Sequence, residues 1–305
     1  TGIATVLAGH PLLSGFSGDG GLATNALLDT PTALALSGGA LYFVDSANSR
    51  VRRIQADVIT TVAGAAPPVN DGQLATSGIL STPTGAVVTT GGLLISDAGQ
   101  HRLRLVNQAT KLISTFAGQG GSGSGGDGGP ATAASLASPQ GLVVAPDGSI
   151  YVSQTSGFVR RIRTDGVIET LIGNAAVGNG GEAANEGGTL LATRMHSVDK
   201  GLAGIALRND ILLIADIANN KVWAANRGAA AAAVAGVMVP PGEVRRVAGD
   251  EDGGAGQTQA QQLSLDDVVD VAWLSTGDFV FLERSPLSGN GRLYQVTGAT
   301  GAASV

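Results

Sequence analysis

Short apolar runs separated by turn residues are the dominant pattern along this chain. In the segment that begins at Pro31, the runs TALAL, LYFVD, RVRRI and ITTVAG are separated by SGG, SANS and QAD. Runs of this length, bounded by Gly, Ser, Asn and Asp, predict short antiparallel β-strands. The first two runs are apolar almost throughout, which indicates strands buried on both faces. The third alternates charged and aliphatic residues and is expected near a rim.

The pattern of four runs repeats along the whole sequence. Each copy ends in a glycine, and these glycines follow one another at intervals of 55, 54, 55 and 76 residues: Gly9, Gly64, Gly118, Gly173 and Gly249. The longest interval contains RGAAAAAVAGVMVPPG, which we interpret as an insertion that forms a short helix or an apolar hairpin, a candidate partner surface if exposed. Four strands per period predict a propeller blade, because each small sheet packs its faces on its neighbours.

Five such blades account for the chain as one all-β domain, residues 1–305, a five-bladed β-propeller of four-stranded antiparallel blades. The predicted blades are 29–64, 81–118, 137–173, 200–249 and 266–296. The chain begins with a run of the fourth type at residues 3–9, and its last blade contains only the first three runs. We therefore expect the N-terminal strand to pair with GRLYQV and close the last blade without an exposed edge. The alternative is a six-bladed ring with one blade outside this chain.

The blade sequence LYFVDSANSRVRRIQADVITTVAG resembles the NHL-repeat β-propellers. The segments FSGDGGLAT and GGDGGPATAASLASPQGLVV resemble the subset of these repeats in large secreted or surface proteins, teneurins included. The resemblance covers nearly the whole chain and implies the propeller fold and an extracellular or cell-surface location. It does not select an activity, since NHL propellers include protein scaffolds, RNA-binding modules and a lyase class.

A glycine-rich loop with one aspartate recurs before three of the blades. Asp19, Asp71 and Asp127 each stand twelve residues before the proline that opens the next blade. We interpret the loop as structural: its glycines permit positive φ, the aspartate caps backbone amides, ATAASL forms a helical turn, and a leucine fills the gap between blades. The alternative is that the three aspartates bind calcium, a cation that prefers carboxylate and carbonyl oxygens on flexible loops.

A second recurrent feature is an acid at the end of the second run and a base at the start of the third. The four pairs are Asp45 with Arg50, Asp97 with Arg102, Asp216 with Lys221 and Glu283 with Arg292. Such positions lie close together in an antiparallel hairpin, so we expect each pair to clamp its turn. The third blade departs from this pattern at Ser153, Gln154 and Phe158, and the departure predicts a ligand-binding spot there.

Composition narrows the function classes. The net charge is −6, no cysteine is present, and 14% of the residues are charged. Because the chain is acidic, a general attraction to nucleic acid or anionic membranes is not expected. Because it has no cysteine, it can form no disulfide and cannot use a thiolate in catalysis. The arginines of the third runs are expected on solvated outer strands. His10, His101 and His196 occupy three different blade positions and are not expected to share a zinc ion.

These observations favour a non-catalytic binding, adhesion or assembly module whose partner is a protein or a surface glycan, with self-assembly as a further option. Neither nucleic acid binding nor membrane insertion is expected. No cofactor is expected either, apart from calcium in the alternative given above. The alternative function is a lyase-like or lactonase-like enzyme with a metal or small ligand at the mouth of the central channel. The sequence starts at Thr1 without an apolar leader, and we expect a processed or truncated product of bacterial export, extracellular, surface-bound or periplasmic.

Overall fold

The computed structural model describes residues 5–10, 12–64, 71–173, 189–192, 201–249, 259–284, 291–297 and 303–304. By its internal contacts the chain divides into two compact units. Unit one comprises Thr1–Ser122 and Ala131–Pro139, and unit two comprises Gly123–Pro130 and Gln140–Val305. Five four-stranded antiparallel sheets are the blades of a β-propeller, two in unit one and three in unit two. That the whole chain is a single domain stays a prediction.

The blades of unit one follow the chain strand by strand. Blade one consists of β1 (Pro31–Ser37), β2 (Ala40–Asp45), β3 (Arg50–Gln55) and β4 (Val58–Ala63). A short strand, β5 (Gln73–Leu74), pairs with the edge of blade two, which consists of β6 (Pro83–Thr89), β7 (Gly92–Asp97), β8 (Arg102–Asn107) and β9 (Leu112–Ala117). All six residues of β7 are buried, as the apolar second run predicted.

The blades of unit two have the same order. Blade three consists of β10 (Pro139–Val144), β11 (Ile150–Gln154), β12 (Val159–Ile162) and β13 (Ile168–Ile172). Blade four and its inserted hairpin consist of β14 (Leu202–Arg208), β15 (Ile211–Asp216), β16 (Lys221–Asn226), the hairpin strands β17 (Ala232–Val234) and β18 (Val237–Val239), and β19 (Val244–Ala248). Blade five consists of β20 (Asp267–Trp273), β21 (Phe279–Arg284), β22 (Gly291–Val296) and β23 (Ala303–Ser304).

The insertion in the fourth repeat is a hairpin rather than a helix. Val234, Ala235 and Val239 are buried and belong to the core of blades four and five, whereas Met238 is exposed. The hairpin therefore packs on its own blade through most of its apolar side chains. The insertion therefore does not present its whole apolar surface to a partner.

The cores lie between neighbouring blades inside each unit. In unit one, Val44 and Val51 of blade one pack with Leu80, Leu93 and Ile95 of the second repeat. Unit two contains two further cores. The core between blades three and four includes Tyr151, Val159, Leu212, Ile214 and Trp223. The core between blades four and five includes Leu213, Val222, Val271, Phe281 and Tyr294. Each blade of unit two thus buries apolar side chains against its neighbour, as the strand pattern predicted.

Short 3-10 turns stand in the described loops before blades one, two, three and five, and another lies between β7 and β8 inside blade two. The described turns, each of three residues, are Ala23–Asn25, Ala75–Ser77, Ala98–Gln100, Ala131–Ala133 and Ala260–Gln262. The ATAASL turn is confirmed at Ala131–Ala133, and the gap-filling leucines Leu80 and Leu136 are buried. No helix among the described residues is long and apolar enough to span a membrane.

The glycine that ends each fourth strand is required by the close approach of a neighbouring hairpin. Gly64 has a φ of 91°, and a Cβ there would lie 2.2 Å from the carbonyl oxygen of Ser49. Gly118 has a φ of 90°, and a Cβ there would lie 2.4 Å from the carbonyl oxygen of His101. Any side chain would collide with backbone at both positions, and at Gly249 it would collide with the carbonyl oxygen of Asn220. At Gly173 the atom in the way belongs to the ring of Phe158 instead.

Closure of blade five by the N-terminal strand is the part of the predicted fold that the structure corrects. The strand beside β22 is β23, through Gln295 with Ser304 and Val296 with Ala303. Residues 5–9 form no strand, and residues 3 and 4 lie outside the described residues. Gly9 instead donates its backbone N–H to the carbonyl of Ala23. Local packing in blade one thus holds this segment, because Ala8 contacts the small apolar core under the first loop.

Candidate functional site

The three loop aspartates all form ion pairs with an arginine on the third strand of the blade that follows the loop. The pairs are Asp19 with Arg52, Asp71 with Arg104 and Asp127 with Arg160. The oxygen–nitrogen distance is 2.8 Å for Asp19 with Arg52 and 2.9 Å for Asp71 with Arg104. Each pair joins residues from the same unit, so the same latch between loop and sheet is built three times.

Burial differs sharply between the two partners. The side chains of Arg52 and Arg160 are fully buried, whereas those of Asp19 and Asp127 are 36% and 47% exposed. Burial lowers the pKa of Arg160, and Asp127 counteracts this effect by favouring the charged guanidinium. Because a buried cation is costly unless it is paired, the first role of the loop aspartate is to compensate the arginine.

Two of the aspartates also accept hydrogen bonds from the fourth strand. Asp71 accepts the backbone N–H of Thr115 at 3.0 Å and its hydroxyl at 3.2 Å. Asp127 accepts the backbone N–H of Thr170 at 3.0 Å. These contacts support the structural interpretation of the loop, in which the carboxylate caps backbone amides.

Calcium binding by Asp19, Asp71 and Asp127 stays a prediction. Each carboxylate has an arginine within ion-pair distance, and that cation occupies part of its oxygen surface. Among the described residues, no group of three or more His, Cys, Asp or Glu side chains could hold a metal ion together. His101 uses its Nδ1 to accept the backbone N–H of Ser138 at 3.1 Å, and His196 lies outside the described residues.

The acids that end the second strands bind the loops from the other side. In three blades the carboxylate accepts a backbone N–H from the residue that leads into the first strand: Asp45 from Asp29 at 2.8 Å, Asp97 from Ser81 at 2.7 Å and Glu283 from Asp266 at 2.7 Å. Asp45, Asp97 and Glu283 are buried. A buried carboxylate that accepts backbone N–H groups fixes the chain entering its blade, because the donors would otherwise be left unsatisfied.

In blade one the predicted acid and base positions face each other, but the ionic partner of the acid is a different arginine. Asp45 lies directly opposite Arg50 in the strand register. Its carboxylate nevertheless pairs with Arg52, at 3.1 Å, while the guanidinium of Arg50 lies 3.7 Å from the ring centre of Phe16. Glu283 does pair with Arg292, at 3.6 Å.

The donor to the buried acid varies among the blades. In blade four, Trp223 donates its indole N–H to Asp216 at 3.1 Å. In blade five, Tyr294 donates its hydroxyl to Glu283 at 3.1 Å. These two aromatic side chains take the place that Arg52 has in blade one. The buried acid is thus shared by blades one, two, four and five, and its partner is exchangeable.

Burial dominates the pKa values of two of these acids. It raises the pKa of Asp97 to about 6, although the backbone hydrogen bond from Ser81 and the charge of Arg104 act in the opposite direction. It also raises the pKa of Asp216, against the hydrogen bonds from Asn219 and Trp223. These carboxyl groups therefore bind protons more readily than exposed ones.

Blade three places the predicted ligand-binding residues mostly in the interior. Ser153 and Gln154 are buried, and Phe158 is half-buried with its ring beside Gly173. The hydroxyl of Ser153 accepts the backbone N–H of Gly141 at 2.9 Å and donates to the carbonyl of Ala203. A ligand at Ser153, Gln154 and Phe158 stays a prediction, and Phe158 is the one of the three with an exposed surface.

A longer turn between the first two strands of blade three explains why counting from Pro139 selected Ser153. Ala145 donates its backbone N–H to the carbonyl of Ser149 across three residues, whereas two residues separate Ser37 from Ala40 in blade one. Gln154 donates its backbone N–H to the carbonyl of Phe158, so three residues separate the second and third strands, whereas four separate Asp45 from Arg50. By strand pairing, Gln154 stands where Asp45 stands in blade one. The count from the proline is therefore displaced by one residue in this blade.

The buried arginines are the functional feature that sequence reasoning missed. Arg52, Arg104 and Arg160 were expected on solvated outer strands, and this expectation is wrong, since all three are buried. A signal was present: each arginine follows its loop aspartate by 33 residues. A constant spacing between opposite charges in three repeats indicates a conserved geometry of pairing rather than a solvated rim.

Comparison with known proteins agrees with this architecture. A family model described as the teneurin NHL domain matches residues 119–185. No curated protein matches the sequence.

Several solved structures share the fold. A structure of the nidogen/laminin complex is 11% identical with a TM-score of 0.55, covering 90% of this chain and 78% of that one. A gluconolactonase from Xanthomonas campestris is 12% identical with a TM-score of 0.56, covering 91% and 76%. A virginiamycin B lyase from Staphylococcus aureus is 14% identical with a TM-score of 0.50, covering 93% and 71%. At these identities the likeness shows the fold alone.

Three findings converge on one assignment. The sequence repeats a unit of four strands, the structure builds that unit as five antiparallel blades, and the matching family model is that of an NHL domain. The chain is therefore a five-bladed β-propeller, and the match of residues 119–185 to the NHL family model supports a propeller of the NHL type.

Proposed function

We propose that this chain is a non-catalytic module through which an exported or cell-surface protein binds another protein. The observation that carries the proposal is an apolar face of blade one. Leu34 and Leu36 of β1 are 71% and 80% exposed. Residues two apart on a strand project from the same face, so the two leucines form one apolar surface. Exposed apolar patches of this kind mark sites that partners cover.

The same strand position is buried elsewhere in the fold. In blade four, Ile205 pairs with Ile214 as Leu34 pairs with Phe43, and Ile205 is buried, while Leu207, the counterpart of Leu36, is half-buried. Exposure is therefore not a general property of first strands in these blades. Because the side chains of Leu34 and Leu36 carry no polar atoms, they favour a protein partner over a glycan, whose hydroxyl groups require hydrogen bonds.

Blade five has a comparable face in unit two. Leu282 and Leu293 lie opposite each other in the register of β21 and β22, and they are 40% and 59% exposed. Two apolar faces on separate blades give the chain surfaces suited to assembly.

The comparisons support the location and the kind of partner. The matching family model belongs to teneurins, whose NHL repeats the sequence resembles, and one structural neighbour was solved as a complex of two proteins, nidogen and laminin. A gluconolactonase and a virginiamycin B lyase are structural neighbours too, so the choice of a binding module over an enzyme rests on the exposed leucines rather than on these neighbours.

A cross-linking experiment tests the proposal. A photoreactive amino acid at position 36 is expected to capture one specific protein, which is then purified and titrated against the chain. The double variant Leu34→Lys, Leu36→Lys should weaken that binding at least about 10-fold, since charge is inserted into an apolar contact. The matched control Leu112→Lys changes an exposed leucine of β9 in the same unit and should leave binding unchanged.

Three results would contradict the proposal. The first is that the double variant binds the purified partner as well as the unchanged chain does. The second is that position 36 cross-links to no protein more than position 112 does. The third is hydrolysis of a lactone by the purified chain, which would favour the enzyme. Capture of a second copy, checked by sedimentation equilibrium, would identify the partner as the chain itself.

A further inference from the structure

A cleft opens between blades one and two inside unit one. Its volume is about 300 Å³, within the range of small-molecule sites. Apolar walls come from Val62, Val88, Leu93 and Val106, and the polar lining includes Arg53 and Lys111. Within the described part of its lining, the cleft contains two cationic side chains and no carboxylate.

Arg53 differs from Arg52, its neighbour in sequence, because it has no acid to pair with. Among the described residues it forms no ion pair or hydrogen bond, and its Nε is buried without a partner. It lies opposite Tyr42 on one side and Thr60 on the other. The Nε atoms of Arg52 and Arg104 are also buried without an acceptor, but the guanidinium groups of those two arginines pair with carboxylates. Among the described residues, Arg53 differs from both because its whole guanidinium lacks an acceptor.

Blade three shows what the same position does when acids are supplied. Arg161 lies opposite Tyr151 and Glu169, in the same register as Arg53 between Tyr42 and Thr60. It pairs with Glu169 at 3.1 Å and with Asp147 at 3.0 Å. Blade one replaces the glutamate by a threonine and so leaves the arginine open toward the cleft.

We propose that the cleft binds a small organic monocarboxylate with an apolar body. The carboxylate takes the place that Glu169 has beside Arg161 and accepts N–H groups of the Arg53 guanidinium, whose planar fork suits this geometry. Lys111 adds a second positive charge at the lining. The aliphatic walls cover the body of the ligand, which gains by leaving water.

The favoured ligand class follows from the walls. Inorganic phosphate would meet the arginine but would leave the apolar walls uncovered, and a neutral amide would contact the walls without satisfying the charge. A compound with both features, such as benzoate, is therefore the appropriate probe, with benzamide as its neutral counterpart.

The test is a ligand-observed NMR titration of the full chain with benzoate, benzamide and inorganic phosphate. Benzoate should bind saturably, and each of the other two at least about 10-fold more weakly, because a charge-assisted hydrogen bond or the apolar contact is lost. The variant Arg53→Gln should weaken the binding of benzoate by a similar factor. The variant Thr60→Glu should do the same, since it supplies Arg53 with an internal carboxylate as Glu169 does for Arg161.

The control is Arg161→Gln, which changes the arginine that already has acidic partners and should leave benzoate binding unchanged. Melting temperatures show whether each variant is folded, and Arg53→Lys provides a second variant that keeps the charge and loses the fork. The proposal is overturned if benzoate does not bind saturably, if benzamide or phosphate binds equally well, or if folded Arg53→Gln and Thr60→Glu retain the affinity of the unchanged chain.

Discussion

Blade one and blade four satisfy the same buried acid by different means. In blade one, Asp45 faces the guanidinium of Arg52, which in turn pairs with the loop residue Asp19. In blade four, Asp216 faces the neutral indole of Trp223. The donor in the middle of the third strand is therefore a guanidinium in one blade and a neutral indole in the other, while the cation near Asp216 is Lys221, which lies opposite it in the strand register. Once the donor is a buried arginine, a second carboxylate from the loop is needed to balance it.

The sequence distribution of the loop motif agrees with this comparison. The clear motif with aspartate occurs before the three blades that carry the arginine: Asp19 with Arg52, Asp71 with Arg104 and Asp127 with Arg160. Loop and strand thus vary together, because the buried arginine is costly unless a carboxylate pairs with it. The recurrent loop is best understood as one half of an ionic latch.

The largest expected effect comes from removing the arginine of blade one. Arg52→Met leaves the buried carboxylate of Asp45 without its cation, and we expect a loss of about 3–5 kcal/mol in the free energy of unfolding. Urea denaturation at pH 7 measures it. The control Arg53→Met, beside it on the same strand but without an ionic partner among the described residues, should cost less than about 1 kcal/mol. Equal losses in the two variants would contradict the latch.

The second effect concerns pH and the acid of blade two. Between about pH 4 and pH 6 the folded state holds a proton on Asp97 that the unfolded chain releases, because burial raises its pKa from 3.8 to about 6. Stability must therefore fall as the pH rises through this window, by about 3 kcal/mol from this group. Asp97→Asn should remove that part of the slope, as urea denaturation at several pH values would show.

Asp147 provides a contrast of opposite sign for this measurement. The backbone N–H of Ser149 lowers the pKa of Asp147, so its contribution is present above the ordinary pKa of an aspartate and is lost as the pH falls. Asp147→Asn should therefore lower stability above the ordinary pKa of an aspartate, and the difference from the unchanged chain should disappear as the pH falls below the pKa of the folded state. An unaltered slope between pH 4 and pH 6 in Asp97→Asn would contradict the buried-acid account.

The smallest effect is expected where the donor is neutral. Trp223→Phe removes one hydrogen bond to Asp216, which keeps the donors of Asn219, and should cost about 1–3 kcal/mol. Tyr294→Phe removes the corresponding bond to Glu283 and should cost a similar amount. Thermal unfolding compares both with Arg52→Met. A cost for Trp223→Phe above that of Arg52→Met would reverse the comparison.

Much of the fold could be predicted from the sequence because it depends on local periodicity. Alternating and continuous apolar runs predicted the strands, and the constant spacing of Gly64 and Gly118 reflects a backbone contact that excludes a side chain in each repeat. The opposition of Asp45 and Arg50 also followed from hairpin geometry alone. Such features involve residues close in sequence, so counting is enough to find them.

Other features required the tertiary structure. Which neighbour of Asp45 becomes its ionic partner depends on the faces of β3: Arg52 points into the blade and Arg53 lines the cleft. The strand that completes blade five is β23 rather than residues 3–9, because edge pairing depends on which segment lies beside β22 in space. The missing acid beside Arg53 is likewise visible only when Thr60 and Glu169 are compared in register. The sequence by itself determined the repeat, the strands and the turns. Which charged side chains are buried and which of them pair was decided by the tertiary structure, because these contacts join residues far apart in the chain and no local pattern encodes them.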